Sequence, residues 1–299
     1  MNTGTGSSRR ELLRGAGLLT TAALAGGASL ASAAAAAADE EPARARAVSK
    51  GRLKQSACRW CYGKIPLEEL CSAAKQIGLV GIDLMGPSDF STLEKHGLIC
   101  TMTSSGKLTD GFCEPKFHEA SIQSALDAIA ATSAKGWRNI ICFSGNSRGI
   151  DRKTGLENCA KGLKDVVAAA EKANVIVNME LLNSKVDHHD YMCDNTPWGI
   201  ELVQKVGSPN FKLLNDIYHM QIMEGDIIRT IQAHHDAFGH YHTGGNPGRN
   251  EIDATQELNY RAIAEAIVGT GFDGYMAHEF IPKRDPLTSL AEAVTLCDV

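Results

Sequence analysis

The sequence predicts an α/β protein built as one (β/α)8 barrel, a TIM barrel spanning residues 52–299. Three observations lead there. Short runs that are apolar on both faces alternate with amphipathic segments, as parallel strands covered by helices require. The alternation occurs eight times in about 250 residues, the size of one such barrel. No break in composition marks a second domain, and no sequence repeat accompanies the structural beat.

In chain order, Leu53 to Cys58 reads as the first strand and Pro66 to Ile77 as its helix, opened by proline and stopped by Gly78. Val80 to Leu84 is the second strand, with a short helix from Ser88 to His96. Leu98 to Thr103 is the third, ended by Ser104-Ser105-Gly106. Its helix, Lys116 to Lys135, places Ile122, Ala125, Leu126 and Ile129 at helical spacing. Asn139 to Phe143 pairs with a helix from Gly155 to Ala173. Val175 to Leu181 leads, through a long polar loop, to a helix over Pro197 to Val206 with Thr196 placed to cap it. Phe211 to Leu214 is the sixth strand, followed by a helix from about Gly225 to His235. His240 to Thr243 precedes a helix from about Thr255 to Val268, and Gly274 to Phe280 precedes a last one from Pro286 to about Leu296.

The first 38 residues read differently. Ser8-Arg9-Arg10-Glu11-Leu12-Leu13-Arg14 is a twin-arginine pattern, followed by an apolar run from Gly15 to Leu30 and small residues around Ala31-Ser32-Ala33. Charged start, apolar middle and A-x-A end are the parts of an export signal. The apolar run is short and rich in Gly, Ala and Thr for a membrane anchor. The expected location is therefore the periplasm, and residues 39–51 are expected to form a flexible lead-in. Formal net charge is −5. The signal holds three arginines and one glutamate, so removing its +2 leaves −7. An acidic chain without Lys/Arg-rich runs is a poor nucleic-acid binder. Beyond the signal no apolar stretch is long enough to span a membrane. Nine cysteines include Cys58-Arg59-Trp60-Cys61, without a second C-x-x-C. Buried structural thiols are expected, because the twin-arginine route carries proteins folded in a reducing cytoplasm.

Chemistry concentrates where the late strands end. In these barrels that rim holds the reactive side chains. The fifth strand offers Glu180 within an apolar run, costly to bury without a partner. The sixth offers Asp216 with His219 three residues on, the seventh His242 and the eighth Glu279. Two Glu, one Asp and one His without cysteine suit a single divalent ion such as Mg2+, Mn2+ or Co2+. Each also has a plainer reading: a buried ion pair for Glu180 or Glu279, a core histidine for His242, a turn in which Asp216 caps the next segment and His219 lies on the surface. Arg249, in Pro247-Gly248-Arg249, is either a clamp for a substrate carboxylate or a surface arginine. His188-His189, in a ligand-rich loop over residues 184–190, can shape a pocket. His234-His235 falls late in a helix and is expected to face solvent.

The run Asn215-Asp216-Ile217-Tyr218-His219-Met220-Gln221-Ile222-Met223-Glu224-Gly225-Asp226, with Pro247-Gly248-Arg249-Asn250-Glu251 and Leu258-Asn259-Tyr260, resembles the hydroxypyruvate isomerase family. That family belongs to the xylose-isomerase-like barrels, with the ketose 3-epimerases and endonuclease IV. The likeness spans about residues 53–297 and is densest from Glu180 to Pro282. It implies one divalent metal at Glu180, Asp216, His242 and Glu279, a proton-transfer pair in Glu180 and Glu279, and His219 hydrogen-bonded to a substrate oxygen. The implied reaction interconverts hydroxypyruvate and tartronate semialdehyde. A metal chelating the carbonyl and hydroxyl oxygens acidifies the intervening C–H, and a carboxylate moves the proton. His242 stands where some members carry Gln, which is closer to the sugar epimerases. Together with the export signal, this keeps open an isomerase, epimerase or lyase for a larger sugar or keto-sugar. A nuclease of the endonuclease IV kind needs histidines on early strands and an Asp-x-His after the seventh. The sequence instead has Asp83-Leu84-Met85, Met102-Thr103-Ser104 and Asn250-Glu251-Ile252-Asp253. The expected partner is a small hydroxy-keto acid or sugar. Barrels of this kind often form homo-oligomers, but the chain carries no interface signature.

Overall fold

A computed structural model of the protein describes residues 45–299, so the twin-arginine segment lies outside the described residues. Eight strands follow one another around a closed barrel: β1 (Lys54–Cys58), β2 (Gly81–Met85), β3 (Ile99–Thr103), β4 (Asn139–Cys142), β5 (Ile176–Leu181), β6 (Phe211–Asp216), β7 (Phe238–Thr243) and β8 (Tyr275–His278). Every pairing is parallel, and β8 returns to β1. The predicted fold is the observed one.

The helices are α1 (Leu67–Ile77), α2 (Phe90–Lys95), α3 (His118–Ala134), α4 (Arg152–Ala173), α5 (Thr196–Val206), α6 (Ile217–Met223), α7 (Ile227–His234), α8 (Tyr260–Gly269) and α9 (Pro286–Cys297). α1 buries Leu70, Cys71, Ala73, Ala74 and Ile77 on one stripe, and Gly78 ends it at φ 103°, a left-handed conformation open to glycine. Capping moves several predicted boundaries. α4 starts earlier than expected because Asp151 accepts from Thr154 N. α5 is capped by Asn195, which accepts from Trp198 N, and Thr196 is its first residue. α8 starts later because Asn259 accepts from Ala262 N. α6 was not expected at all. Asp216 creates it by accepting from the backbone N–H of Tyr218 and His219.

Most of the core lies between barrel and helices, where strand residues such as Val177, Met179, Leu181 and Leu213 meet helical Leu163, Val166 and Leu202. A small apolar cluster of Met102, Ile141 and Leu214 joins β3, β4 and β6. The last residues before the barrel are hydrogen-bonded to its C-terminal end. Asp298, just past α9, accepts hydrogen bonds from the backbone N–H of Ser49, Lys50 and Gly51 and from the Ser49 hydroxyl, at 2.7–2.8 Å. Ala47 N also donates to Ile77 O. All nine cysteines are free thiols; Cys61 is half-buried and the other eight are buried.

Candidate active site and metal centre

The register of the late strands decides which side chains meet. Asp216 pairs with His242 across β6 and β7, and Glu180 pairs with Leu214 across β5 and β6. Glu279 follows β8, where its N–H donates to Thr243 O at 3.0 Å and extends the ladder past the last paired residue. The four predicted ligands thus converge. One ligand atom from each of Glu180, Asp216, His242 and Glu279 lies within 4.8 Å of the others, and all four side chains are buried.

Buried carboxylates at such spacing repel, and their protonation separates accordingly. Burial raises the Glu180 pKa, and Glu279 adds to the shift. Burial also pushes Asp216 up to about 8, although Arg249 opposes it. Glu279 goes the other way, because His242 and Arg249 outweigh its burial and hold it well below the usual range. Its Oε2 lies 2.7 Å from His242 Nδ1 and accepts from Arg249 Nη2 at 2.6 Å, while Trp60 Nε1 donates to Oε1 at 2.6 Å. Three carboxylates against one arginine and one imidazole leave a site short of positive charge. Its oxygen-rich donor set with one imidazole could hold a divalent metal ion, so the residues fit the group.

Asp216 divides its two oxygens between structure and chemistry. Oδ1 caps α6, while Oδ2 accepts from Arg249 Nη2 at 3.0 Å and faces the cluster. The same α6 turn carries His219, which is wholly buried rather than on the surface. Its tautomer follows from its neighbour. Asn183 Oδ1 accepts from Val186 N and Asp187 N, which directs Nδ2 to donate to His219 Nδ1 at 2.6 Å. The proton of neutral His219 is therefore on Nε2, an atom 3.5 Å from Asp216 Oδ2 with no hydrogen-bond partner. Burial depresses the pKa of His219 and keeps the ring neutral. An oriented, unused N–H donor in a buried site is suited to a substrate oxygen.

Arg249 belongs to the site and not to the surface. Its backbone is left-handed at φ 55°, a strain of about 1–2 kcal/mol for a residue with a side chain. Its guanidinium lies between the rings of Trp60 and Tyr218, 5.3 and 5.2 Å from their centroids. It therefore already bridges Asp216 and Glu279 beneath a half-exposed Trp60. His188 meets the His219 ring edge-on at 5.1 Å, whereas His189 turns away onto Ser184 O. His234 is exposed and His235 partly so, as expected.

Three contributors escaped the sequence reading. Trp60 was visible only as part of a C-x-x-C, and Asn183, two residues past the end of β5, carried no pattern to single it out. Asp83 on β2 donates no sequence signal beyond a charge in a predicted strand. It is wholly buried, and its Oδ2 lies 2.8 Å from His242 Nε2.

The family described as xylose isomerase-like TIM barrel matches residues 91–297. The chain belongs to that family. A putative hydroxypyruvate isomerase from Homo sapiens is 25% identical over 255 residues, covering 84% of this chain and 87% of the relative. Hydroxypyruvate isomerase from Escherichia coli K12 is 27% identical over 223 residues, covering 70% and 86%. Among solved structures, an AP endonuclease of family 2 from Brucella melitensis superposes with a TM-score of 0.71 at 23% identity, covering 80% of this chain and 98% of that one. A 3-keto-D-glucoside 4-epimerase from E. coli gives 0.70 at 17%, covering 82% and 98%. At such identities the structural likeness establishes the fold alone.

Proposed function

We propose that this xylose isomerase-like barrel is a metal-dependent isomerase that interconverts hydroxypyruvate and tartronate semialdehyde. The observation that carries the reading is the convergence of Glu180, Asp216, His242 and Glu279 on one buried point. Relatives that share most of their length with this chain bear the hydroxypyruvate isomerase name. A divalent cation bound by these four side chains would polarise the adjacent carbonyl and hydroxyl oxygens of the substrate. Glu180 and Glu279 are suited to act as the proton-transfer pair, one carboxylate removing the proton between those oxygens and the same or the other returning it. An enediolate links the two forms. His219 donates Nε2–H to a substrate oxygen, and Arg249 offers a guanidinium to the substrate carboxylate. The reaction is tested by incubating metal-reconstituted protein with hydroxypyruvate in D2O and following proton NMR. Tartronate semialdehyde forming, and ceasing to form on chelation, is the expected result. No turnover by a protein shown to hold a divalent ion would overturn the substrate.

A second reading, an isomerase or epimerase for a larger sugar or keto-sugar, is favoured by His242, which stands where some hydroxypyruvate isomerases carry Gln. It uses the same cation and proton-transfer pair, and turnover of a ketose in the same NMR assay would select it. Export by the twin-arginine route follows from residues 8–14. Replacing Arg9 and Arg10 by Lys should retain the protein inside the cell in a fractionation experiment.

A further inference from the structure

Asp83 reaches across the barrel. It sits on β2, and its partners His240 and His242 are on β7, a strand that does not neighbour β2 in the sheet. Burying a lone carboxylate in a barrel interior is costly, and this one is surrounded by compensating donors. Asp83 Oδ1 accepts from Thr101 Oγ1 at 2.6 Å and lies 3.2 Å from His240 Nε2, while Oδ2 faces His242 Nε2 at 2.8 Å. Cys58 Sγ completes the surroundings, 3.7 Å from Oδ2. These contacts leave His242 with one ring nitrogen committed to Asp83 and the other, Nδ1, directed at Glu180 and Glu279, 3.5 and 2.7 Å away.

We propose that Asp83 is the positioning residue of the metal centre: it holds the proton on His242 Nε2 and thereby presents the Nδ1 lone pair as the imidazole ligand. The inference rests on the metal-dependent reading above. The physical reason is general. A ligating histidine needs its second nitrogen anchored by an acceptor, which sets the tautomer, fixes the ring and raises its basicity. A carboxylate is the acceptor that does this most strongly, and Asp83 Oδ2 stands 2.8 Å from His242 Nε2. Thr101, on β3, restrains the other oxygen, so the carboxylate cannot swing away.

The nearby thiol allows one competing arrangement. Cys58, Asp83 and His242 also place ligand atoms within 4.8 Å of one another. A cation bound there would use His242 Nε2 and remove the anchoring role.

The test is a titration of metal-free full-length protein with Co2+, read both as affinity and as the visible and near-ultraviolet spectrum. Unaltered protein should bind one equivalent without a thiolate-to-cobalt charge-transfer band. Asp83→Asn and Asp83→Ala should bind about 10–100-fold more weakly. The decisive comparison is made on His242→Gln, where the tautomer no longer exists. Adding Asp83→Ala to that variant should change Co2+ affinity less than about twofold, because positioning acts only through His242. Equal losses on both backgrounds would mean that Asp83 serves the barrel and not the ligand, and would overturn the assignment. A thiolate band would overturn it in favour of the Cys58 arrangement. Failure of the unaltered protein to bind any divalent ion would remove the metal centre itself, and the role of Asp83 with it. Should the Asp83 variants not fold, 15N-histidine spectra of unaltered, Mg2+-loaded protein decide the point. A proton on Nε2 of His242 supports the assignment, and a proton on Nδ1 overturns it.

Discussion

Glu180 and Glu279 are chemically the same group placed in opposite surroundings. Burial raises the pKa of the first, whereas His242 and Arg249, against burial, hold the second ionised. Glu180→Gln keeps an oxygen ligand and removes the titrating one. We expect turnover to fall by about 10²–10⁴-fold, as loss of a general acid or base does. Calorimetric titration should show the divalent ion still binding. Unchanged turnover with metal bound would exclude Glu180 from proton transfer. Asn183 acts one bond further out, since its amide decides which nitrogen of His219 carries the proton. Asn183→Leu removes that constraint and leaves a buried ring nitrogen unpaired. About 1–3 kcal/mol of substrate stabilisation is then expected to be lost, roughly a 5–150-fold drop in kcat/KM. Steady-state kinetics on the folded variant measures it.

Among the elements, the junction of β6 and α6 does two jobs with one residue. Asp216 ends the strand, starts the helix and still presents an oxygen to the cluster. This was only half visible in advance: the capping and the metal-ligand readings stood as alternatives, whereas Oδ1 makes the cap and Oδ2 is left facing the cluster, so the two do not exclude each other. The contact between Asp298 and residues 49–51 is a second junction, closing the start of the described chain onto its end. Four hydrogen bonds lower the Asp298 pKa to about 2, against burial. A folded pKa below the unfolded one stabilises the fold above the unfolded value, about 4 for aspartate. That contribution is lost as pH falls from about 4 through about 2. Asp298→Asn should cost about 1–3 kcal/mol at neutral pH and flatten the loss of stability over that acid window. Urea melts at a series of pH values would show it, and identical acid slopes for the two proteins would refute it.

For the molecule as a whole, the cluster at the barrel mouth is expected to couple stability to a bound divalent ion. Three buried carboxylates competing for too little positive charge should be relieved by a divalent ion that the unfolded chain cannot bind in the same way. At a hundredfold excess over Kd the expected gain is about 2.7 kcal/mol. For a barrel of this length that corresponds to a rise in Tm of roughly 5–10 °C, reversed by chelator. Scanning calorimetry of apo and reconstituted protein reads it directly, and a Tm indifferent to every divalent ion tested would refute it.

The barrel was legible in the chain because its signal is local. Alternation of short buried strands and helices depends only on neighbours in sequence, and each unit from Lys54 to Cys297 shows it, even where the strands carry polar residues such as Asn178, His240 and His278 at alternate positions. Glu180, Asp216, His242 and Glu279 were legible for a related reason: the rim rule turns a position at a strand end into a position in space. Asp83, Trp60 and Asn183 were not. Their roles arise from contacts across the barrel or between loops, such as Asp83 on β2 meeting His242 on β7. No local pattern encodes that pairing, because it exists only once the sheet has closed and brought opposite walls together. Arg249 stands between the two cases. Its charge and loop position could be read from the chain, but its seat between Trp60 and Tyr218, against Asp216 and Glu279, depends on three loops converging over the same rim.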